Sequence, residues 1–306
     1  MSRPKKTCVV YNPAAGRGRA AARIDGRSAC IEGEVGIVAT TGPGDAEEIA
    51  FRAANDGFAR IVAAGGDGTI HEVANGILRA GNPDVTFAVW PMGSANDYAY
   101  SLGLTGDPHQ PTDVNSVDVG WIKGPNGRQR YFVNGMGLGF NGGVTVEARR
   151  IRWLRGMPLY GLAMLKAMIR HFKKPLLHFE SDEVVRDSPT LALTLNLGKR
   201  EGGFPLTPRA DLSDGLFDYM HAGPVSRLEL LRQFPNLIRG TLPADHPRLW
   251  LGRCRSLALR SEAPLRIHLD GEFFCQPEDG VASVEVEMLS NKLRVEAARV
   301  ETPASR

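Results

Sequence analysis

The sequence predicts an α/β plus β fold, with an N-terminal α/β domain built on a parallel sheet and a C-terminal β-sandwich domain. Two observations support this prediction. In roughly the first 120 residues, short apolar runs alternate with helical patterns, which is typical of βαβ units. Further along the chain, most segments are strand-like and are separated by turn residues, which favours a sandwich.

The domain boundaries are predicted from the change in this pattern. Residues 1–120 form the α/β domain, residues 121–290 form the sandwich domain, and residues 291–306 form a C-terminal segment that returns to the first domain. The strand-like sequence KLRVEAA carries the expected return. A chain of 306 residues is long enough for two such cores.

The α/β domain is predicted to contain four strands, each of which ends in a polar or glycine-containing turn. They are Thr7–Asn12, Gly33–Thr40, Ala59–Gly66 and Val85–Gly93. The predicted helices are Asp45–Gly57, with Asp45 as its N-cap, then Thr69–Arg79 and Ser94–Gly103. Ligands of parallel sheets bind beyond the carboxyl ends of the strands, so the turns after these strands are the expected location of a site.

The sandwich domain is predicted to have two helical interruptions, Val144–Phe172 and Ser226–Arg239. The first of them includes Arg149–Lys174, which has eight lysine and arginine residues, no acidic residue and an apolar stretch at roughly helical spacing. Such a segment suits a peripheral contact with a membrane surface. The alternative is a helix packed on the sandwich with a solvated basic rim.

Composition and charge narrow the class of protein. The formal net charge of +3 is too small to indicate a nucleic-acid partner, and none is expected. Cys8, Cys30, Cys254 and Cys275 form no C-x-x-C pair, which argues against a zinc knuckle or a disulfide framework. No apolar run is long enough for a signal peptide or a membrane span. We therefore expect a cytoplasmic protein, and peripheral contact with the inner face of a membrane and a homodimer are left open.

Three loops at predicted strand ends combine glycine with polar or basic side chains. Their sequences are GGDGT at Gly65–Thr69, WPMGSANDYA at Trp90–Ala99 and YNPAAGRGRA at Tyr11–Ala20. Glycine lets backbone N–H groups approach an anion, and the N-terminus of a following helix adds a positive dipole. An aspartate would repel a bare phosphate, so Asp67 indicates an intervening Mg²⁺ or a catalytic role. The alternative is an ordinary βα turn in which Asp67 partly caps the helix.

Two other motif matches are weaker. GLGFNG at Gly137–Gly142 follows a strand, yet no acidic residue that could bind a ribose occurs between Glu147 and Glu180. HEVAN at His71–Asn75 lacks the second histidine of a zinc-binding helix. We interpret neither of them as a cofactor site.

Four motifs occur in a fixed order along nearly the whole chain. They are N-P-x-x-G at Asn12–Gly16, G-G-D-G-T-I-x-E at Gly65–Glu72, P-x-G-[ST]-x-N-D-[FY]-A at Pro91–Ala99 and L-D-G-E at Leu269–Glu272. In this combination the chain resembles the diacylglycerol kinase catalytic family, in particular the bacterial soluble lipid kinases. G-G-D-G-T alone is less specific, because NAD kinases and phosphofructokinases carry close relatives of it.

The resemblance implies an ATP-dependent kinase that uses Mg²⁺ and phosphorylates a hydroxyl of diacylglycerol or a related lipid alcohol at a membrane surface. It implies that Glu272 is the general base and that Asp97 assists at the reacting centre, and Asp67 is expected to be catalytic as well. The residues expected to bind the nucleotide are Asn12, Gly16, Arg17, Thr40, Gly65, Gly66, Asp67, Gly68, Thr69, Ile70, His71, Glu72, Gly93, Ser94 and Asn96. Asp270 and Glu272 are two residues apart, so on a strand their side chains would share a face.

The sequence DLSDGLFD resembles a structural Mg²⁺ loop of the same family. The resemblance implies that Asp214 ligates the ion through its side chain, Asp211 and Leu216 through backbone carbonyls, and Asp118 through water. An ordinary Asp-Gly turn is the alternative.

The chain departs from the family pattern at three positions. His71 replaces the usual asparagine and has no assigned role, Ser94 replaces a threonine and keeps its hydroxyl, and Tyr100 stands where a basic residue is common. The loss of that positive charge puts a contact with phosphate or a lipid headgroup in doubt. Two alternative functions remain, an NAD kinase-like phosphotransferase and a catalytically silent nucleotide-binding regulator. The sequence does not identify the lipid.

Overall fold

The computed structural model describes residues 6–18, 24, 26–28, 31, 33–107, 109–151, 153–154 and 156–299. The chain forms two compact units. Unit 1 comprises the chain up to Val117 together with the segment that begins at Lys292, and unit 2 comprises Asp118–Asn291. Two strands continue from one unit into the other, β5 (Thr112–Lys123) and β16 (Ser283–Ala298).

Unit 1 is an α/β unit with a parallel sheet. Its strands, in the spatial order β2-β1-β3-β4, are β1 (Thr7–Tyr11), β2 (Val35–Ala39), β3 (Arg60–Gly65) and β4 (Thr86–Pro91). Neighbouring strands in this order run parallel, and Arg294 and Val295 of β16 pair in parallel with β4. Strands β1 and β3 are buried almost throughout, as expected when helices cover both faces of a parallel sheet.

The helices of unit 1 follow the strands, as predicted. They are α1 (Asp45–Asn55), α2 (Asp67–Ala80) and the short α3 (Asp97–Ser101), and Ala15–Gly18 forms a 3₁₀ turn after β1. Asp45 was predicted as the N-cap of α1, but the N-cap is Gly44 and Asp45 is the first helical residue. Gly76 of α2 packs against the backbone of α1, because a Cβ at Gly76 would collide with the carbonyl of Glu47.

Unit 2 contains a six-stranded antiparallel sheet. In spatial order its strands are β12 (Leu249–Cys254), β11 (Phe217–Ala222), β10 (Ala192–Asn196), β7 (Gly135–Gly139), β14 (Ile267–Leu269) and β15 (Glu272–Cys275). Register pairs such as Thr194 with Gly137 and His268 with Gly137 place polar side chains beside the glycines of β7. The space that a Cβ would occupy at Gly137 and Gly135 is taken by the side chains of His268 and Asn196.

A second set of antiparallel strands covers the apolar face of that sheet. Strands β9 (Val185–Pro189), β8 (Leu176–Ser181), β13 (Ser256–Ser261) and the first part of β16 are neighbours, and β5 pairs with β6 (Gln129–Phe132). Ring contacts join the two layers, with centroid separations of 5.7 Å for Phe132 and Phe217 and 5.1 Å for Phe179 and Tyr219. The predicted α/β plus β fold is confirmed.

The helices of unit 2 are α4 (Phe140–Arg150), α5 (Gly156–Arg170) and α6 (Arg227–Arg239). The single helical interruption predicted at Val144–Phe172 is therefore two helices, and the first begins earlier, among glycines that weaken the helical signal. Helix α6 agrees with its prediction and begins with a capping box between Ser226 and Glu229.

Candidate active site

The four strand ends of unit 1 are joined to one another by backbone hydrogen bonds. The N–H of Thr40 donates to the carbonyl of Tyr11 (2.8 Å), and the N–H of Asn12 donates to Ala64 (3.2 Å). Farther along the same edge, Met92 N–H donates to Gly65 (2.7 Å) and Gly16 N–H donates to Met92 (3.2 Å). The loops singled out in the sequence therefore meet along the carboxyl edge of the parallel sheet.

The glycines in these loops allow an approach that side chains would block. A Cβ at Gly93 would lie 2.6 Å from the Cα of Gly66, which is shorter than any real contact. A Cβ at Gly65 would collide with the side chain of Thr69. The loop after β3 and the loop after β4 are thus in backbone contact.

The Asp67 carboxylate joins the same two loops by hydrogen bonds. Its two oxygens accept from the backbone N–H groups of Asn96 (3.0 Å) and Asp97 (2.8 Å). These two donors stabilise the charge of Asp67, so the carboxylate does not depend on a cation for its stability. A Mg²⁺ ion near Asp67 or a catalytic role for it stays a prediction. Asp67 is also the first residue of α2, where a negative charge is favourable.

Asn96 shapes the loop between β4 and α3. It has a positive φ of 51°, and its side-chain oxygen accepts from Gly93 N–H (2.8 Å) while its amide nitrogen donates to the Gly93 carbonyl (3.3 Å). This ring of hydrogen bonds fixes the turn, leaves Ser94 exposed and places Asp97, which is only 6% exposed, at the start of α3.

Three of the residues predicted to bind nucleotide have side chains that are occupied elsewhere. Ile70 and His71 point into the core of unit 1, and the ring of His71 lies 3.4 Å from the Asn75 amide on the same helix. The Glu72 carboxylate accepts from the backbone N–H groups of Gly44 (2.9 Å) and Ala46 (3.2 Å), and so caps α1. His71 and Ile70 can therefore offer only backbone groups, and Glu72 holds the loop that follows Thr40.

The carboxyl edge of unit 1 combines the glycine-containing loops after β3 and β4 with the N-terminus of the 14-residue helix α2. Such an arrangement favours a phosphate group. Asn12 contributes to it by an Asx turn, in which its side-chain oxygen accepts from Ala14 N–H (2.9 Å). The side chain of Arg17, which was predicted to face the phosphates, lies outside the described part of the structure.

In unit 2 the L-D-G-E motif forms the tight turn between β14 and β15. Asp270 and Gly271 have φ values of 51° and 89°, which is the left-handed region typical of a two-residue hairpin turn. Because Asp270 lies in the turn and not on a strand, the expectation that it shares a face with Glu272 does not apply. Its carboxylate accepts from the backbone N–H groups of Val133 (3.0 Å), Asn134 (2.8 Å) and Gly135 (2.9 Å).

Glu272 follows this turn at the start of β15. Its side chain is 45% exposed, and its Oε2 atom accepts from the Arg149 guanidinium at 2.7 Å. The turn beneath it is held by the buried Asp270 carboxylate, so the backbone position of Glu272 is well defined. An exposed carboxylate on a fixed turn is available to a substrate hydroxyl.

The predicted Mg²⁺ loop folds around Asp118. This aspartate is fully buried, and its two oxygens accept from the backbone N–H groups of Gly215 (2.7 Å) and Asn291 (2.8 Å). Asp211 accepts from Ser213 N–H (2.9 Å), and Asp214 accepts from Leu216 N–H (3.1 Å). The loop is therefore organised by carboxylate-to-backbone hydrogen bonds.

An arginine forms ion pairs with two carboxylates of this loop. The Arg253 guanidinium donates to the Asp214 carboxylate and, at 3.2 Å, to Asp218. Burial raises the pKa of Asp218 above its usual value, although Arg253 opposes that effect. Carboxylate and carbonyl oxygens are the donors that Mg²⁺ prefers, so the predicted ligands fit the ion in type. Within the described residues, no group of three or more histidine, cysteine, aspartate or glutamate side chains converges on a metal position.

Sequence reasoning missed the partners of these residues. Three sets of contacts join distant parts of the chain. Asp270 accepts from three backbone N–H groups, Arg149 contacts Glu272, and Arg253 contacts Asp214. Two glycines of GLGFNG have a packing role, since a Cβ at Gly142 or Gly143 would collide with Arg266 or His171. No local pattern would have revealed these contacts.

Comparison with known proteins identifies the family. Residues 6–120 match the diacylglycerol kinase catalytic domain, and residues 135–296 match the YegS C-terminal NAD kinase beta sandwich-like domain. A diacylglycerol kinase of Mycobacterium tuberculosis is 31% identical over 284 residues, which cover 88% of this chain and 89% of the relative. A diacylglycerol kinase of Bacillus subtilis is 28% identical over 281 residues, which cover 88% of this chain and 90% of the relative.

A solved structure agrees with this relationship. The crystal structure of a diacylglycerol kinase from Bacillus anthracis has a TM-score of 0.71 at 20% sequence identity and covers 99% of both chains, which shows the shared fold. The fold and these relationships define an enzyme of the lipid kinase class. The chain belongs to the diacylglycerol kinase catalytic-domain family, and the predicted resemblance is confirmed.

Proposed function

We propose that the chain transfers the terminal phosphoryl group of ATP to a hydroxyl of diacylglycerol or a related lipid alcohol. The observation that carries the proposal is the Asp67 carboxylate, which joins the two glycine-containing loops at the carboxyl edge of unit 1. Loops held in this way keep their backbone geometry when a polyphosphate binds beside the N-terminus of α2. The relatives named as diacylglycerol kinases support the choice of acceptor.

In this proposal the nucleotide phosphates contact the backbone of Gly65–Thr69. Gly93 and Asn96 line the same position and shape the loop, because their N–H groups already donate to the Asn96 side chain and to Asp67. Asn12, Gly16, Arg17, Thr40 and Ser94 complete the contacts, as the sequence motifs imply. Ile70 and His71 take part through their backbone alone, and Glu72 acts by holding the loop that contains Gly44.

Glu272 is proposed as the general base that accepts the proton of the lipid hydroxyl. Its Oε2 atom is engaged by Arg149, whereas Oε1 makes no hydrogen bond within the described part of the chain. Asp97 is proposed to assist at the reacting centre, and Asp67 to hold Asp97 in place. Phosphoryl transfer involves little covalent work by the protein, so positioning and a single proton acceptor suffice.

Mg²⁺ is proposed in two roles. Bound together with ATP, it neutralises phosphate charge during transfer. At the loop around Asp118, the proposed ligands are the Asp214 side chain, the Asp211 and Leu216 carbonyls and Asp118 through water, and there the ion stabilises unit 2. Because Arg253 shares the charge of Asp214, occupancy of the loop depends on competition between Arg253 and the ion.

The lipid is proposed to be presented at a membrane surface that Arg149–Lys174 contacts. Trp153, Leu165 and Ile169 are 76%, 50% and 80% exposed in this segment, and Leu228 of α6 is 56% exposed. Exposed apolar side chains among basic ones suit a surface of anionic lipids. Among the helices that the structure describes, none has the length and apolar character that spanning a membrane would require.

The proposal is tested by incubating the protein with labelled ATP and Mg²⁺ in the presence of single acceptors. The panel contains diacylglycerol, monoacylglycerol, sphingosine, ceramide, phosphatidylglycerol and NAD. Label on diacylglycerol or another lipid alcohol is expected. Label on NAD but on no lipid would support the NAD kinase alternative, and ATP binding without transfer to any acceptor would support the silent regulator.

A further inference from the structure

We infer that Arg149 is a positioning residue for Glu272, an inference that rests on the proposed role of Glu272 as the general base. One guanidinium nitrogen of Arg149 donates to Glu272 Oε2 (2.7 Å) and to the Gly271 carbonyl (2.9 Å). The guanidinium carbon lies 4.8 Å from the ring centroid of Phe273. Arg149 therefore contacts three consecutive residues of the L-D-G-E-F segment.

The backbone of the turn does not depend on Arg149. Asp270 anchors it from the buried side through hydrogen bonds from Val133, Asn134 and Gly135, and Asp270 itself is only 9% exposed. The Glu272 side chain is different, because within the described residues Arg149 is the group that binds its carboxylate. The direction in which this carboxylate points is therefore set by Arg149.

Arg149 is itself held at a defined place by its helix. Glu147, two residues earlier on α4, is fully buried, and its carboxylate accepts from Arg150 (3.0 Å) and Arg170 (3.0 Å). Its Oε1 atom also lies 3.2 Å from the Nε2 atom of His171. These contacts tie the last turn of α4 to the end of α5. Arg149 is the basic residue in the last turn of α4 whose side chain contacts the β14–β15 turn.

The geometry has a direct chemical consequence. With Oε2 held by Arg149, the Oε1 atom of Glu272 is presented to the hydroxyl proton, and the side chain does not have to search among rotamers during each turnover. Arg149 thus acts through Glu272 and needs no contact with the substrate.

The pair has little structural role, which makes the inference testable. The Arg149 and Glu272 side chains are 46% and 45% exposed, and ion pairs as exposed as this contribute little to folding stability. Loss of Arg149 should therefore leave the melting temperature nearly unchanged.

The experiment uses a short-chain, water-soluble diacylglycerol, so that membrane contact by the basic segment does not affect the rate. Arg149→Gln should lower kcat about tenfold or more while KM for ATP and for the lipid stays within about twofold, and Arg149→Lys should recover part of the loss. Arg128→Gln is the matched control, because Arg128 donates to the Phe274 carbonyl (2.7 Å) and to Asp279 but does not contact Glu272. It should retain the wild-type kcat.

A double-mutant comparison separates this inference from the proposed function. In the Glu272→Gln background, Arg149→Gln should have no further effect, because its partner is already gone. A wild-type kcat in Arg149→Gln, or a full additional loss in the Glu272→Gln background, would overturn the positioning role while leaving the base intact. A wild-type kcat in Glu272→Gln alone would instead overturn the proposed base.

Discussion

The carboxylate of Asp67 accepts a hydrogen bond of 2.8 Å from the backbone N–H of Asp97, thirty residues further along the chain. Its second oxygen accepts from the neighbouring N–H of Asn96 at 3.0 Å. One side chain therefore fixes the start of α3 relative to the start of α2. The most direct test of the proposed nucleotide site is to disturb this link.

Asp67→Asn should lower both activity and stability. An amide offers one acceptor and places its NH₂ group against a second N–H donor, so one hydrogen bond is lost and a repulsive contact is formed. We expect the free energy of unfolding to fall by about 1–3 kcal/mol and kcat to fall at least about tenfold. Urea unfolding and steady-state kinetics measure the two effects.

Asp107→Asn is the control for this substitution. Asp107 also accepts from a backbone N–H, that of His109 at 2.9 Å, but in an exposed loop outside the proposed site. Its variant should keep the wild-type kcat. If Asp67→Asn also keeps the wild-type kcat, the link between the two loops does not serve catalysis.

Asp270→Ala should destabilise unit 2 strongly. The substitution leaves the N–H groups of Val133, Asn134 and Gly135 without their acceptor in a buried place. We expect a loss of about 3 kcal/mol or more in the free energy of unfolding, measured by urea denaturation. Asp279→Ala, in an exposed turn of the same region, should change it little, and equal effects of the two would contradict this account.

Unit 2 should lose stability in mild acid through His221. This histidine is fully buried between Phe179 and Trp250, and burial, with a smaller effect of Arg186, lowers its pKa from 6.5 to about 3. Above the unfolded pKa the ring is neutral in both states. Between that value and about 3, only the unfolded chain binds the proton, so stability falls by up to about 1.4 kcal/mol per pH unit.

His221→Gln should flatten this decline between pH 6 and pH 4, as measured by urea unfolding at each pH. His178→Gln is an informative control, because the Asp187 carboxylate raises the pKa of the half-buried His178. That group stabilises the fold below its unfolded pKa and loses the effect as pH rises, so its removal should make acid unfolding easier. An unchanged slope in His221→Gln would show that other groups cause the decline.

Mg²⁺ should raise the melting temperature of the protein if the loop around Asp118 binds the ion. Arg253→Gln removes the guanidinium that competes for Asp214 and Asp218, so this variant should respond at lower Mg²⁺ concentrations than the wild type. Asp214→Asn should abolish the response. If the melting temperature of neither the wild type nor Arg253→Gln shifts with Mg²⁺, the loop around Asp118 does not bind the ion and is a turn held by its arginine.

Ile169→Asp should weaken binding to vesicles that contain anionic lipid. Ile169 is 80% exposed on α5, where a charge would oppose insertion among acyl chains. Co-sedimentation at low and high salt measures the effect. Val185→Asp is the control, because Val185 is 63% exposed on β9, outside Arg149–Lys174. Equal loss in both variants, or none in either, would argue against contact through this segment.

Local patterns were sufficient to predict the strand ends and loops of unit 1. A buried apolar run followed by glycines defines both the end of β3 and the start of α2, because strand and turn preferences act within a few residues. The start of α4 at Phe140 was missed, because the glycines in its first turn weaken the local helical pattern and tertiary packing of Phe140 with Ala192 stabilises the helix.

The contacts that complete the candidate site could not be predicted in this way. Glu272 and Arg149 are 123 residues apart, and Asp270 and Gly135 are 135 residues apart. Such pairs form because strands β7 and β14 become neighbours in the sheet, and a single sequence contains no signal for that register. The residue types were visible in the sequence, but their partners were not.

The path of strand β16 has a consequence for synthesis of the protein. Its residues Arg294 and Val295 pair with β4, so the sheet of unit 1 includes a strand segment that follows all of unit 2 in the sequence. All of unit 2 is translated before these two residues. Although strands β1 to β4 precede unit 2 in the sequence, unit 1 can complete its sheet only after unit 2 has been made, and the usual order of N-terminal-first folding does not hold here.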